Sequence, residues 1–275
     1  MTRSTGRRRR DGGRSVLIAV ISTVVLFAAI AWVVSSSPSW PLVQQDFFEG
    51  GVFWRYIPVI AQAFFTNIAL FLLVEALVLV LGLLIAVLRS LPGPVFFPVR
   101  MLAIAYADVF RAVPSLLIIY LLGFGIAGLG LPGVPGDAFF WAAVALTLVY
   151  SAYVSEVYRA GIESIHPSQE AAARSLGLNR WQTLRKVILP QAVRRVIPPL
   201  LNDFIGLQKD TALVGTLGAI EAFQQSSIDT NATFNYTAYL TAAFLFVAIT
   251  IPLARFTDWL IGRDRRRRQA GGAFA

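Results

Sequence analysis

The feature that most constrains this chain is a set of apolar runs long enough to cross a lipid bilayer. Residues 15–35 contain no charged side chain, and residues 67–88 contain only one, Glu75. About 20 such residues in a helix span the hydrocarbon core. Charged residues make up only 14% of the chain and hydrophobic ones 56%. A water-soluble domain carries roughly a quarter charged residues, so much of this surface faces lipid. The fold class expected is all-α, a polytopic bundle of about six membrane helices.

The spans expected are 15–36, 67–88, one within 100–124, 139–158, 196–223 and 236–261. Residues 53–65 form an amphipathic stretch expected at the membrane surface, with Thr66 leading into the second span. The first span follows a basic tail, residues 1–14, as a signal peptide would. Its apolar run is longer than a signal core, and no small-x-small site follows, so it is expected to be retained. The fifth span is the most polar. It carries Asn202, Asp203, Lys209 and Asp210, which points it at other helices or a watery path rather than lipid.

Orientation follows the basic residues. With six spans, Arg3, Arg7 to Arg10, Arg14, Arg89, Arg100, the seven bases between Arg159 and Arg195, and the C-terminal arginines all fall on one side. The other side has Asp46, Glu49, Asp137, Glu221 and Asp229 against Arg55 alone. A multi-pass protein of a bacterial plasma membrane with both termini cytoplasmic is expected. The net charge of +9 therefore reads as topology, not nucleic-acid binding. Both tails, 1–14 and 264–275, have the composition of disordered segments resting on anionic headgroups. With no cysteine and one histidine, His166, neither a disulfide framework nor a histidine or cysteine metal cage is available.

The loop 163–195 differs from the rest. Ser168 is an expected N-cap, and Glu170 sits in a first turn where negative charge suits the helix dipole. Ala171, Ala172 and Ala173 give a small-residue surface. Gly177 suits a left-handed helix end. A second helix is expected over 180–189, with Trp181 and Leu184 on an apolar face, ended by Pro190. Two short helices exposing small and apolar side chains make a docking knob for a soluble partner.

The run Ser168, Gln169, Glu170, Ala171, Ala172, Ala173, Arg174, Ser175, Leu176, Gly177, followed by Leu189 and Pro190, resembles the Glu-Ala-Ala loop of ABC importer permeases. Residues 156–162, 110–114 and 198–213 are similar to permeases of the polar amino acid uptake family, with a MetI-like type-1 transmembrane domain over 53–263. Counted back from Gly177, the family glutamate falls on Ala171, one residue after Glu170.

The resemblance implies that the loop couples this subunit to a cytoplasmic ABC ATPase dimer. It implies a second permease copy or paralogue, an extracytoplasmic substrate-binding protein and an amino acid substrate. No cofactor is expected on this chain, which lacks a phosphate-binding loop; ATP belongs to the partner ATPase. The chain is therefore expected to be a transport subunit and not an enzyme.

Glu75, Arg111, Asn202, Asp203, Lys209 and Asp210 are the candidates for the translocation path. Glu75 could meet a substrate ammonium or bond a neighbouring helix. Asp108 with Arg111, Glu156 with Arg159, and Arg255 with Asp258 have the spacing of helix ion pairs. The alternative function is an ATP-independent secondary transporter or channel for a small polar solute. Midplane carboxylates such as Glu75 favour it, and the docking loop opposes it.

Overall fold

The structure is a computed structural model that describes residues 7–272, with side chains over 15–263. It is helical throughout, with no strand among the described residues. The first helix is α1 (Arg7–Ser35); from Ser15 onward it is apolar on every side and none of it is buried. A helix with no polar face and no protein cover is suited to lipid. The short α2 (Trp40–Phe47) follows.

Next comes α3 (Gly50–Arg89), 40 residues without a break. At 1.5 Å per residue it is about 60 Å long. Residues 53–65 are therefore not a separate surface helix, and Thr66 is not a boundary. Ile60 and Phe64 from this stretch are buried against Ala238, Ala242 and Phe246, so protein rather than the membrane surface covers the apolar face.

The expected third span is bent. The helices α4 (Phe97–Ala112) and α5 (Ser115–Tyr120), the latter continued by a π turn over Leu121–Ile126, meet at 104°. Pro114 excludes the helical region for the residue before it, and Val113 is extended at φ −90°, ψ 132°. The bend brings α4 across α6 (Ala138–Glu163), where the Tyr106 hydroxyl donates to the Leu148 carbonyl at 2.8 Å.

Beyond the loop helices α7 (Pro167–Ser175) and α8 (Arg180–Thr183), a π turn over Leu184–Ile188 leads directly into α9 (Leu189–Asp210). Pro190 does not end a helix; it lies in the first turn of α9, where its missing N–H removes no bond. The fifth span thus starts earlier than expected. It passes into a 3₁₀ segment, Thr211–Leu217, and stops at Gly218, so it does not reach 223. The lateral α10 (Ala222–Thr233) and the long α11 (Thr237–Gly272) complete the fold. Helix begins at Arg7 and continues to Gly272, where the tails are expected to be disordered. The tail side chains lie outside the described residues.

Among the described residues, four helical stretches are long and apolar enough to cross a membrane, or five where the bent pair counts as one span. The expected fifth span, α9, is not among them: its 22 residues reach about 33 Å but carry Arg194, Arg195, Asp203, Lys209 and Asp210. The core packs Leu70, Val74 and Val78 of α3 against Ile119 of α5, Leu146 and Val149 of α6, and Leu207 of α9. Side-chain pairings give the directions. Arg89 meets Glu156, so α3 and α6 run the same way, and Tyr150 meets Asp210 while a Gly161 Cβ would meet Val196, so α9 runs against them.

Candidate coupling loop and translocation path

The loop begins where α6 ends. The Glu156 carboxylate takes Arg159 from its own helix, Arg89 from the end of α3 at 2.8 Å, and Arg111 from α4 at 3.6 Å. Arg159 also pairs with Glu163, and the Arg195 guanidinium donates to the Ser164 carbonyl. The expected Glu156–Arg159 pair is present. The expected Asp108–Arg111 pair is not found among the described residues: Arg111 reaches Glu156 of α6 instead, where the Tyr153 hydroxyl also donates to the Arg111 carbonyl at 3.4 Å. Arg255 and Asp258 pair at 3.8 Å, largely in the open.

The cap of α7 is His166, not Ser168. Pro167 occupies the first turn, and the His166 Nδ1 accepts from the Ser168 N–H at 3.2 Å. The helix stops at Gly177, left-handed at φ +82°. A capping box then starts α8: the Asn179 Oδ1 accepts from the Gln182 N–H at 2.9 Å, and the Gln182 Oε1 from the Asn179 N–H at 3.0 Å. Gln191 reaches back to Gln169 at 3.4 Å and to the Val187 carbonyl at 3.0 Å, holding α9 against α7.

This hairpin buries one alanine and displays its neighbours. Ala173 is 4% exposed, whereas Ala171, Ala172, Arg174 and Glu170 are open. Leu176 at 84% and Trp181 at 66% project from it, with Leu184 and Leu189 beside them. Large apolar side chains that protrude among charged ones suit contact with another protein. Glu170 forms no ion pair among the described residues; with His166, Arg180 and Thr183 it lines a hollow of about 350 Å³ behind the hairpin.

The path candidates divide into groups. Glu75 and Asp203 are half-buried and close enough for their charges to interact. Asp203 and Asp210, two turns apart on α9, share a face. The Tyr150 hydroxyl donates to the Asp210 Oδ2 at 3.0 Å, and the buried Asp203 Oδ2 has no partner. Lys209 points elsewhere, lining a cavity with Phe246, Val247 and Thr250 of α11. Asn202 is exposed, and Arg111 belongs to the Glu156 cluster. So the structure groups Glu75, Asp203 and Asp210, and separates Arg111, Asn202 and Lys209 from them.

One polar group was not expected at all. Glu221 is 1% exposed at the start of α10, capped onto the Phe223 and Gln224 N–H groups at 2.8 Å each. Asn67 of α3 donates to it at 2.9 Å and accepts from the Ala222 N–H at 3.1 Å. A polar residue opening an apolar span and an acid before a helical run are the sequence signals that mark this pair.

Residues 78–268 match the family described as binding-protein-dependent transport system inner membrane component. The chain belongs to this family. Among curated relatives, a probable glutamine ABC transporter permease protein, GlnM of Bacillus subtilis, is 36% identical over 182 residues, covering 66% of this chain and 82% of that one. The glutamate/aspartate import permease protein GltK of Escherichia coli is 35% identical, covering 65% and 81%. The arginine transport system permease protein ArtQ of Bacillus subtilis is 32% identical, covering 67% and 84%. A crystal structure of an amino acid ABC transporter with histidines aligns over 78% of this chain and 98% of the other, at 29% identity and TM-score 0.71. The MetNI methionine ABC transporter in an inward-facing conformation has the same fold, with a TM-score of 0.60 at 20% identity. The chain is thus a membrane-spanning ABC importer permease with the type-1 fold.

Proposed function

We propose that this permease moves polar amino acids into a bacterial cell, as half of a translocation path completed by a second copy or a paralogue. Glutamine, glutamate or aspartate, and arginine in the names of its relatives support an amino acid substrate. The arginine distribution supports cytoplasmic termini and a cytoplasmic loop. An ATPase dimer docks on the two loops of the assembly, and a binding protein delivers substrate from outside. ATP binds the ATPases, and no cofactor binds this chain.

The observation that carries the reading is the hairpin α7–α8. Its tip displays Leu176 and Trp181, and its base is joined rigidly to the membrane helices. Arg195 bonds to Ser164, Arg159 bridges Glu156 and Glu163, and Glu156 gathers Arg89 and Arg111. A force on the loop therefore reaches α3, α4, α6 and α9 together. Closure of the ATPases would draw two such loops together and open the path outward; hydrolysis would reset it. Glu75, Asp203 and Asp210 line the passage, whereas Arg111 serves the Glu156 cluster at the loop end.

The test is co-purification of the detergent-solubilised chain with its co-expressed ATPase, for wild type, Gly177→Asp and Trp181→Ala. Wild type is expected to retain the ATPase and both variants to lose most of it while keeping the wild-type elution profile. Wild type that retains no ATPase would overturn the ATP-driven reading.

A further inference from the structure

Phe234 is the only residue other than glycine with a positive φ among the described residues, at φ 56°, ψ 18°. A bulky side chain is rare in the left-handed region because its Cβ crowds the backbone. Glycine or asparagine would take the same conformation with less strain and end α10 equally well.

The surroundings hold Phe234 there. Its N–H donates to the Thr230 carbonyl at 2.7 Å. The next residue, Asn235, is clamped from three sides. Its Nδ2 donates to the Gln45 carbonyl at 3.1 Å and to the Glu49 Oε2 at 2.9 Å, and its Oδ1 accepts from the Thr237 N–H at 2.9 Å. The Glu49 N–H donates to the Thr237 Oγ1 at 3.3 Å, and Tyr236 stacks on Phe47 at 4.9 Å. This frame joins α2, α3, α10 and α11. The ring it presents is 78% exposed. A strained backbone, rigidly supported, that displays an unburied aromatic ring indicates that the ring itself is used.

Lipid is a poor fit as its contact. Asn231, Thr233 and Glu49 around it are polar and exposed, whereas a hydrocarbon-facing surface is continuously apolar. The tip lies at the end of the bundle opposite the α7–α8 hairpin, the end that carries Asp46, Glu49, Asp137 and Asp229 against the single base Arg55. An apolar knob in an acidic field fits a protein that offers an apolar pocket rimmed by basic side chains. On the importer reading, on which this step rests, the protein that meets this end is the binding protein. We propose that Phe234 is the anchor through which the outer face of the permease engages its extracytoplasmic binding protein.

The test uses the whole assembly in proteoliposomes, with ATP hydrolysis followed as the amino-acid-loaded binding protein of the same transport system is titrated in. Phe234→Gly keeps the backbone conformation and removes the ring. It is expected to raise the half-stimulating concentration about ten-fold or more, as loss of an interface anchor does, with unchanged basal hydrolysis and no fall in thermal midpoint. Phe234→Trp is expected to stay within about three-fold of wild type, because it keeps an aromatic anchor. An unchanged half-stimulating concentration in Phe234→Gly, or a fall in its thermal midpoint that accounts for the loss, would overturn the proposal. A wild-type assembly that hydrolyses ATP but does not respond to the binding protein would overturn the importer reading, and the proposal with it.

Discussion

At the scale of single residues, Glu156 organises the loop end of the bundle. Three guanidinium groups from three helices converge on it, and the Arg89 side chain among them is only 9% exposed. Its removal would leave Arg89 without its anion in a place water reaches poorly. Glu156→Gln is therefore expected to lower stability by about 2–3 kcal/mol. Glu163, at 59% side-chain exposure, belongs to a solvated pair. Glu163→Gln is expected to cost less than about 1 kcal/mol. Thermal unfolding of the two variants in the same detergent gives the comparison, and equal shifts would remove Glu156 from its organising role. Only part of this cluster is legible in the sequence. The Glu156–Arg159 pair follows from helix spacing, whereas Arg111 was expected to pair with Asp108. Its partner Glu156 lies on another helix, and how α4 packs against α6 is not encoded in any local pattern.

At the scale of elements, the spans within 67–88, 139–158 and 236–261 could be found because apolar runs of that length have few other uses. Their boundaries followed less well. Residues 53–65 read as a surface helix because their polar and apolar residues alternate at helical spacing, but α11 supplies an apolar partner that sequence periodicity cannot reveal. Pro190 read as a helix end and Phe223 as a span end, whereas the π turn before Pro190 and the Gly218 stop move α9 earlier in the chain.

The close crossing of α6 and α9 depends on Gly161, where a Cβ would lie 2.0 Å from the Val196 Cγ1. Gly161→Ala is expected to cost about 1–3 kcal/mol through overpacking. Val196→Ala in the same chain should restore at least half of that loss, because it clears the space the new methyl needs. A double-mutant cycle on thermal stability measures the coupling, and strictly additive losses would contradict this packing.

At the scale of the whole molecule, the two ends of the bundle differ in character. One end carries a helical hairpin with exposed Leu176 and Trp181, tied to four membrane helices by arginines. The other carries acidic residues and a rigid tip with Phe234. Between them, Glu75, Asp203 and Asp210 place three carboxylates inside a mostly apolar bundle, and the Tyr150 hydroxyl donates to Asp210 at 3.0 Å. Carboxylates in such a setting are costly unless they serve passage or pair with something that comes and goes. The sequence disclosed these acids but not their grouping, because Lys209 stands beside Asp210 in the chain and faces a different cavity.

The central claim is that ATP drives solute through this bundle. The most direct measurement is uptake of radiolabelled amino acids, tried one by one, into proteoliposomes that hold the permease with its ATPase and are supplied with the binding protein outside. The account predicts accumulation of at least one amino acid with ATP inside the vesicles, and none without ATP or with Gly177→Asp. Accumulation that proceeds without ATP and follows an imposed ion gradient would contradict it.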